Sequence, residues 1–334
     1  MTRILSGIQP SGTPHLGNYF GAIVQHIESS KNLPSDDSAL FFIADFHALN
    51  AIHDREELDM RVRDVAATYL ALGLDIEKAL FFRQSAVPEV CQLTWLLSSC
   101  TSMGLLERGT SYKDKLQRGQ SASVGLFTYP VLMAADILIY DSDIVPVGKD
   151  QQQHVEFARD MATYFNEAYG RGEEILKTPK WKFSKVPKVS GTDGDKMSKS
   201  YGNTIDIFVS GKAQKKQVNK IVTDSRLPEE AKDPDELGAL AILNLFFDDE
   251  EKTEWADRIR KGGDGAPGYG HIKKEIMTRM DQRFGDAREK YESFVSDDQA
   301  WKTAQEILHE GGKRARALAH PVMQRCLEAV GMTS

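Results

Sequence analysis

The chain has 334 residues, 41% hydrophobic and 27% charged, a length that suggests about two domains and a composition ordinary for a globular protein. Its 42 Lys and Arg against 49 Asp and Glu give a net charge of −7, which excludes a globally basic nucleic-acid coat but not a local basic face. No apolar run nears the roughly 20 residues that span a bilayer, the N-terminus meets Ser6, Gly7 and Pro10 too soon for a signal peptide, and Cys91, Cys100 and Cys326 are too scattered for a disulfide frame or zinc ribbon.

Residues 3–8 form a short apolar run stopped by Pro10 and Gly12, and read as a strand. Leu16, Phe20, Ile23, Val24 and Ile27 then recur at helical spacing. Residues 39–44 are continuously apolar, as a strand buried on both faces requires. Leu58, Val62, Val65, Tyr69 and Leu72 mark an amphipathic helix closed by Gly73. Residues 79–82 read as a third strand. Residues 131–140 are apolar with Asp136 in their middle. A further strand at 144–147 leads into a helix over about 151–169. Strands alternating with helices predict an α/β domain built on a parallel sheet. After about Asn203 strand-like runs are scarce. Charged, helix-favouring stretches over 229–249, 272–294 and 298–330, broken by glycines at 262–268, predict an all-helical C-terminal domain. There is no internal repeat and no low-complexity tail.

Four stretches carry chemistry. Residues 6–18 hold Gln9, Pro10, Ser11, Gly12, His15, Gly17 and Asn18 between the first strand and first helix. Ligands of open α/β sheets bind at such strand ends, and His15 and Asn18 can donate to a phosphate. A Pro/Gly turn with a capping residue is the equally open alternative. Residues 191–200 hold Lys196, Met197, Ser198, Lys199 and Ser200 after a Gly/Asp turn; their ammonium groups can meet charge developing on a leaving group. An exposed basic linker is the bland alternative. Residues 148–156 start with Gly148, Lys149, Asp150 and Gln151 at another strand end, where ribose or ammonium contacts are expected. His154 and Glu156 lie two apart and do not share a helix face, so no metal site is expected. In the fourth stretch, 129–138, Asp136 costs several kcal/mol if buried without a partner. That partner is either a ligand donor or an internal hydrogen bond to backbone or Arg, and the residues alone favour the internal bond.

With these stretches in view, the chain resembles the class I aminoacyl-tRNA synthetases, and among them the bacterial-type tryptophanyl-tRNA synthetases. Residues 9–18 resemble the first class signature, and residues 196–200 match the second letter for letter. The resemblance runs over nearly the whole chain. It implies a Rossmann-like parallel-sheet catalytic domain over 1–203, with a dimerisation segment inserted at about 100–140. A helical anticodon-binding domain over 204–334 would follow. It also implies that ATP, with Mg²⁺, activates L-tryptophan to an adenylate, releasing pyrophosphate. The tryptophanyl group then passes to the 3′ end of tRNA(Trp).

By the same resemblance, Gln9, Pro10, Ser11, His15, Gly17 and Asn18 contact ATP. Lys196, Met197, Ser198, Lys199 and Ser200 form the mobile loop whose lysines stabilise the pyrophosphate, with Lys113 as a third lysine. Gly148, Lys149 and Asp150 lie by the ribose and Val189 by the adenine. Asp136 accepts the indole N–H, Met133 packs on the ring, and Tyr129, Gln151 and His47 hold the amino and carboxylate ends. Lys149 stands where relatives commonly have an acid, and His15 where many have Thr, which suggests a divergent branch. A homodimer in the cytoplasm is implied, with no membrane or DNA partner. The other readings are a tyrosine-specific synthetase, a small-molecule nucleotidyltransferase and a non-catalytic paralogue that binds tRNA or tryptophan. Three basic groups are candidates for tRNA phosphates. They are Lys212, Lys215, Lys216 and Lys220; Arg258, Arg260 and Lys261; and Lys313, Arg314, Arg316 and Arg325.

Overall fold

The computed structural model describes residues 2–34, 38–109, 112–113, 123–147, 152–183, 189–227 and 229–332. Among the described residues five strands form one parallel sheet: β1 (Arg3–Ile8), β2 (Ser38–Ile43), β3 (Ala79–Arg83), β4 (Ile144–Val147) and β5 (Lys180–Phe183), in the order β3-β2-β1-β4-β5. The order reverses between β1 and β4, so a crevice is expected at their carboxyl ends. The first helical stretch is α1 (Leu16–Asn18), a π-helical turn at Tyr19–Ile23, and α2 (Val24–Lys31). Then come α3 (Asp45–Ala48), α4 (Arg55–Ala71), α5 (Glu89–Cys100), α6 (Met103–Leu106), α7 (Val124–Leu138) and α8 (Gln152–Tyr169). The C-terminal part contains α9 (Gly211–Asn219), α10 (Gly238–Leu243), α11 (Asp249–Lys261), α12 (Tyr269–Ser296) and α13 (Asp298–Val330).

The apolar run of β2 is buried on both faces, as predicted. Ala39, Phe41 and Ile43 join a core with α4 and α12, while Leu40 and Phe42 join a second core with α5, α7 and α8. Burying Phe41 and Phe81, each 1% exposed, contributes about 2–3 kcal/mol apiece. The long helix α13 belongs to both cores: Trp301, Ala304 and Leu308 to the first, and Ala315, Ala319, Val322, Met323 and Cys326 to the second. It crosses the edge strand β3 at Gly311, where a β-carbon would lie 2.1 Å from the Phe81 carbonyl oxygen. Arg316 pairs with Glu89 at 2.7 Å and Arg325 with Asp141 at 2.7 Å, pinning α13 to the body.

Two elements differ from the sequence reading. β5, Lys180–Phe183, was not expected; its Lys-Trp-Lys-Phe pattern suits a sheet edge, where charge discourages further pairing. Within 229–249 only α10 and a 3₁₀ turn at Pro234–Glu236 are helical before α11 begins. Asp233 and Asp248 cap the turns there, so this acidic stretch is spent on helix starts rather than on one helix.

Candidate active site

The first signature folds as a tight helix start at the end of β1. His15 is the N-cap: its Nδ1 accepts from Asn18 N at 3.3 Å, and its own N–H donates to Asn18 Oδ1 at 3.1 Å. The capping reading of this stretch is thus present. The capping holds the turn, and with Nδ1 used as an acceptor the ring proton sits on Nε2, which can donate. Burial, helped by the Lys199 ammonium, lowers the His15 pKa to about 4, so the ring is neutral at pH 7. Gln9 and Ser11 are exposed, Pro10 is buried, and Gly17 and Asn18 are half-buried.

The second signature lies on the first. Gly17 N donates to Met197 Sδ at 3.2 Å, and Lys199 Nζ donates to the Ser11 carbonyl at 2.7 Å. Partial desolvation lowers the Lys199 pKa and Arg61 adds to it, while Asp206 and Asp64 oppose. Met197 and Val189 are buried, and Met197 N donates to Val189 O at 2.9 Å. Lys196, Lys199 and Ser200 are exposed, and the hydroxyls of Ser198 and Ser200 pair at 2.8 Å. The loop's organiser is Asn203, 2% exposed, which accepts from Ser198 N and donates to Asp193 Oδ1 and Lys196 O. Behind it the chain returns to the first signature: Leu16 N donates to Ile205 O and Ile207 N to Pro14 O.

A second cluster lies on α7. Tyr129, Met133 and Asp136 are four and three residues apart and share one helix face. Asp136 is 2% exposed and already partnered: Gln84 Nε2 lies 2.8 Å from both carboxylate oxygens and His47 Nε2 lies 2.9 Å from one. An internal partner is therefore present, but it is a Gln and a His side chain rather than the backbone or Arg expected from the sequence. Burial pushes its pKa up, and the bonds from His47 and Gln84 pull it back. Tyr129 Oη lies 2.7 Å from His154 Nε2, and its ring meets His47 edge-on.

Not every expected residue joins these clusters. Gly148, Lys149, Asp150 and Gln151 lie outside the described residues. Lys113 is exposed, and no hydrogen bond or ion pair among the described residues links its side chain to the site. Sequence reasoning missed Gln84, Asp45 and Asn203. Gln84 had one available signal, its place just past the carboxyl end of β3; a lone Gln or Asn carries no motif.

Among the basic groups, Arg258 pairs with Glu254, Arg260 with Asp257 and Lys313 with Glu310, and Arg316 and Arg325 are the ties of α13 described above. Lys212, Lys215, Lys216 and Lys220 are exposed on or beside α9, and no ion pair among the described residues uses them.

A family model described as tRNA synthetases class I (W and Y) matches residues 1–284. The chain belongs to this family. A Rhodopirellula baltica protein named tryptophan–tRNA ligase is 49% identical over 331 residues, covering 99% of each chain. One of that name from Campylobacter jejuni is 47% identical over 331 residues, covering 99% of this chain and 100% of its own. A crystal structure of the C. jejuni tryptophanyl-tRNA synthetase, described as complexed with ADP and tryptophan, superposes with a TM-score of 0.88 at 46% identity. It covers 99% of this chain and 100% of its own. The α/β fold with a helical C-terminal part is the one this family expectation required. No helix among the described residues is long and apolar enough to cross a membrane.

Proposed function

We propose that this class I synthetase is a tryptophan–tRNA ligase. The carrying observation is the junction of its two signatures, with Lys199 on Ser11 O and Gly17 on Met197 Sδ. That junction sets a cationic loop beside a helix start able to receive phosphates. The tryptophan carboxylate attacks the α-phosphate of ATP, and the α–β phosphoanhydride bond breaks. Lys196 and Lys199 offset the charge gathering on pyrophosphate, with Lys113 joining them by resemblance. Gln9, Pro10, Ser11, Gly17 and Asn18 line the nucleotide, the neutral His15 donates from Nε2, and Val189 backs the adenine. The terminal adenosine of tRNA(Trp) then attacks the acyl carbon and AMP leaves.

At the amino-acid end Asp136 accepts the indole N–H, Met133 packs on the ring, and Tyr129 and His47 hold the polar end. Asp136 is desolvated, and phenylalanine brings no donor to the lone pair that Gln84 and His47 leave open, a mismatch that can discriminate by roughly 10⁴-fold or more. Among the described residues no three His, Cys, Asp or Glu gather as a metal site. Magnesium commonly enters with phosphates and few protein ligands, so no step here is assigned to it.

The remaining assignments belong to the same proposal: a catalytic part over 1–203, anticodon reading by 204–334, tRNA phosphates on Lys212, Lys215, Lys216 and Lys220, and a cytoplasmic setting. Exposed Trp95, Met103 and Val124, at 73%, 63% and 79%, support a second copy of the chain packing around the 100–140 segment.

The test is ATP–pyrophosphate exchange with tryptophan, tyrosine and phenylalanine offered separately. Exchange with tryptophan alone is expected. Lys199→Ala should lower its rate about 100-fold or more, and Asp136→Ala should raise the KM for tryptophan. Exchange with tyrosine instead would overturn the specificity, and no exchange from a folded, ATP-binding chain would overturn the enzyme.

A further inference from the structure

Three consecutive residues at the carboxyl end of β2 take hold of the turn after β3 and of the carboxylate behind it. Asp45, 4% exposed, accepts from Arg83 Nε at 3.0 Å, Ser85 N at 2.9 Å and Ser85 Oγ at 2.5 Å. It thus grips the neighbours of Gln84 on both sides. Phe46 N donates to Gln84 Oε1 at 3.0 Å, and His47 faces Asp136. The register that pairs Ile43 with Arg83 sets the two triplets side by side. Gln84 is 1% exposed. With its oxygen held by Phe46, its amide nitrogen must face Asp136. A flipped amide would set oxygen against carboxylate and N–H against N–H.

We propose that Gln84 is a positioning residue for amino-acid selection, donating to Asp136 so that its carboxylate stays an acceptor turned toward the indole N–H. The inference rests on the assignment of Asp136 to the indole given above. Gln84 acts through Asp136 and touches no substrate. An amide suits this task because it donates without bringing a charge that would pair off the acceptor.

Burial favours a protonated Asp136, and a protonated carboxyl presents a donor where the indole needs an acceptor. The groups around it are His47 and Asp45 on α3, Arg83 paired to Asp45, Cys91 and Glu89 on α5, and Tyr140 just past its own helix. Glu89 is paired with Arg316, and His154 of α8 reaches the cluster through Tyr129. Asp45 raises the Asp136 pKa, which leaves Gln84 and His47 as the donors that hold it down.

The test is tryptophan-dependent ATP–pyrophosphate exchange from about pH 6 to about pH 9 for the unaltered chain, Gln84→Met, Gln84→Glu and Asp136→Ala. Gln84→Met removes the donor. The KM for tryptophan should rise about tenfold or more near neutral pH and recover as pH increases and Asp136 ionises. In Gln84→Glu the two acids share a proton at lower pH; once it leaves, the carboxylates repel and Asp136 is pushed away from the indole, so its KM should climb as pH increases, the opposite slope. The KM for ATP should hold in both. Gln84→Met also strips Phe46 N–H of its acceptor; should that variant not fold, Gln84→Glu keeps the acceptor and carries the test alone. Flat pH profiles in every folded Gln84 variant, with Asp136→Ala still raising the KM, would overturn the role of Gln84 and leave the indole contact standing. An unchanged KM in Asp136→Ala would remove the indole contact itself, and the inference with it.

Discussion

An alanine β-carbon at Gly17 would sit 2.9 Å from the His15 ring and 3.3 Å from Met197 Cβ. The glycine is needed because the cap and the lysine loop converge on that one backbone position. Gly17→Ala should push the loop off the helix start. We expect about a 10- to 100-fold loss in kcat/KM for ATP with the KM for tryptophan held, read by exchange kinetics. The letters of both signatures were legible in the sequence, and so was their chemistry. What stayed hidden was that they hydrogen-bond to each other, Gly17 N to Met197 Sδ and Lys199 Nζ to Ser11 O. Asp136 was legible as an anomaly, an acid in an apolar run. Its partner Gln84 was not, because the bond joins residues 52 apart in sequence.

Elements were read with success that followed their burial. β2 lies inside the sheet and β3 at an edge that α13 buries, and their apolar runs say so; β5 lies at the other edge, and Lys180 and Lys182 conceal it. The helix α13 was predicted over its whole length, but as part of a separate C-terminal domain. Its packing shows a further duty, since Gly311 lets it lie on the backbone of β3 and cover that edge. Gly311→Val should force the helix away from Phe81. A loss of about 1–3 kcal/mol or more is expected, measured as a lower midpoint in urea, with exchange activity falling in step because β3 carries Arg83 and leads straight into Gln84.

Across the whole molecule, acid should act first on histidines. His26 is buried beside Tyr69, with Nδ1 2.9 Å from the phenol oxygen, and burial lowers its pKa from 6.5 to about 4. His15 is lowered to about 4 as well. Between those values the unfolded chain binds protons that the folded chain refuses, so stability is full above pH 6.5 and lost as pH falls toward 4. Each histidine can contribute about 3 kcal/mol to that loss. Asp64 and Asp136, whose pKa values are raised, titrate in the opposite sense. The melting temperature should therefore fall between pH 6.5 and pH 4 in the unaltered chain and fall less in His26→Phe. Equal falls in the two would assign the acid sensitivity elsewhere.

The sequence by itself determined the class of fold, the two signatures and the chemistry they imply, because hydrophobic periodicity and short motifs are written locally. Tertiary structure alone decided three further matters: the docking of the lysine loop on the first helix, the clamp of Asp45, Phe46, His47 and Gln84 around Asp136, and the sharing of α13 between two cores. Each depends on strand register and on contacts between distant residues, and a buried acceptor draws its partner from whichever strand end the register places beside it.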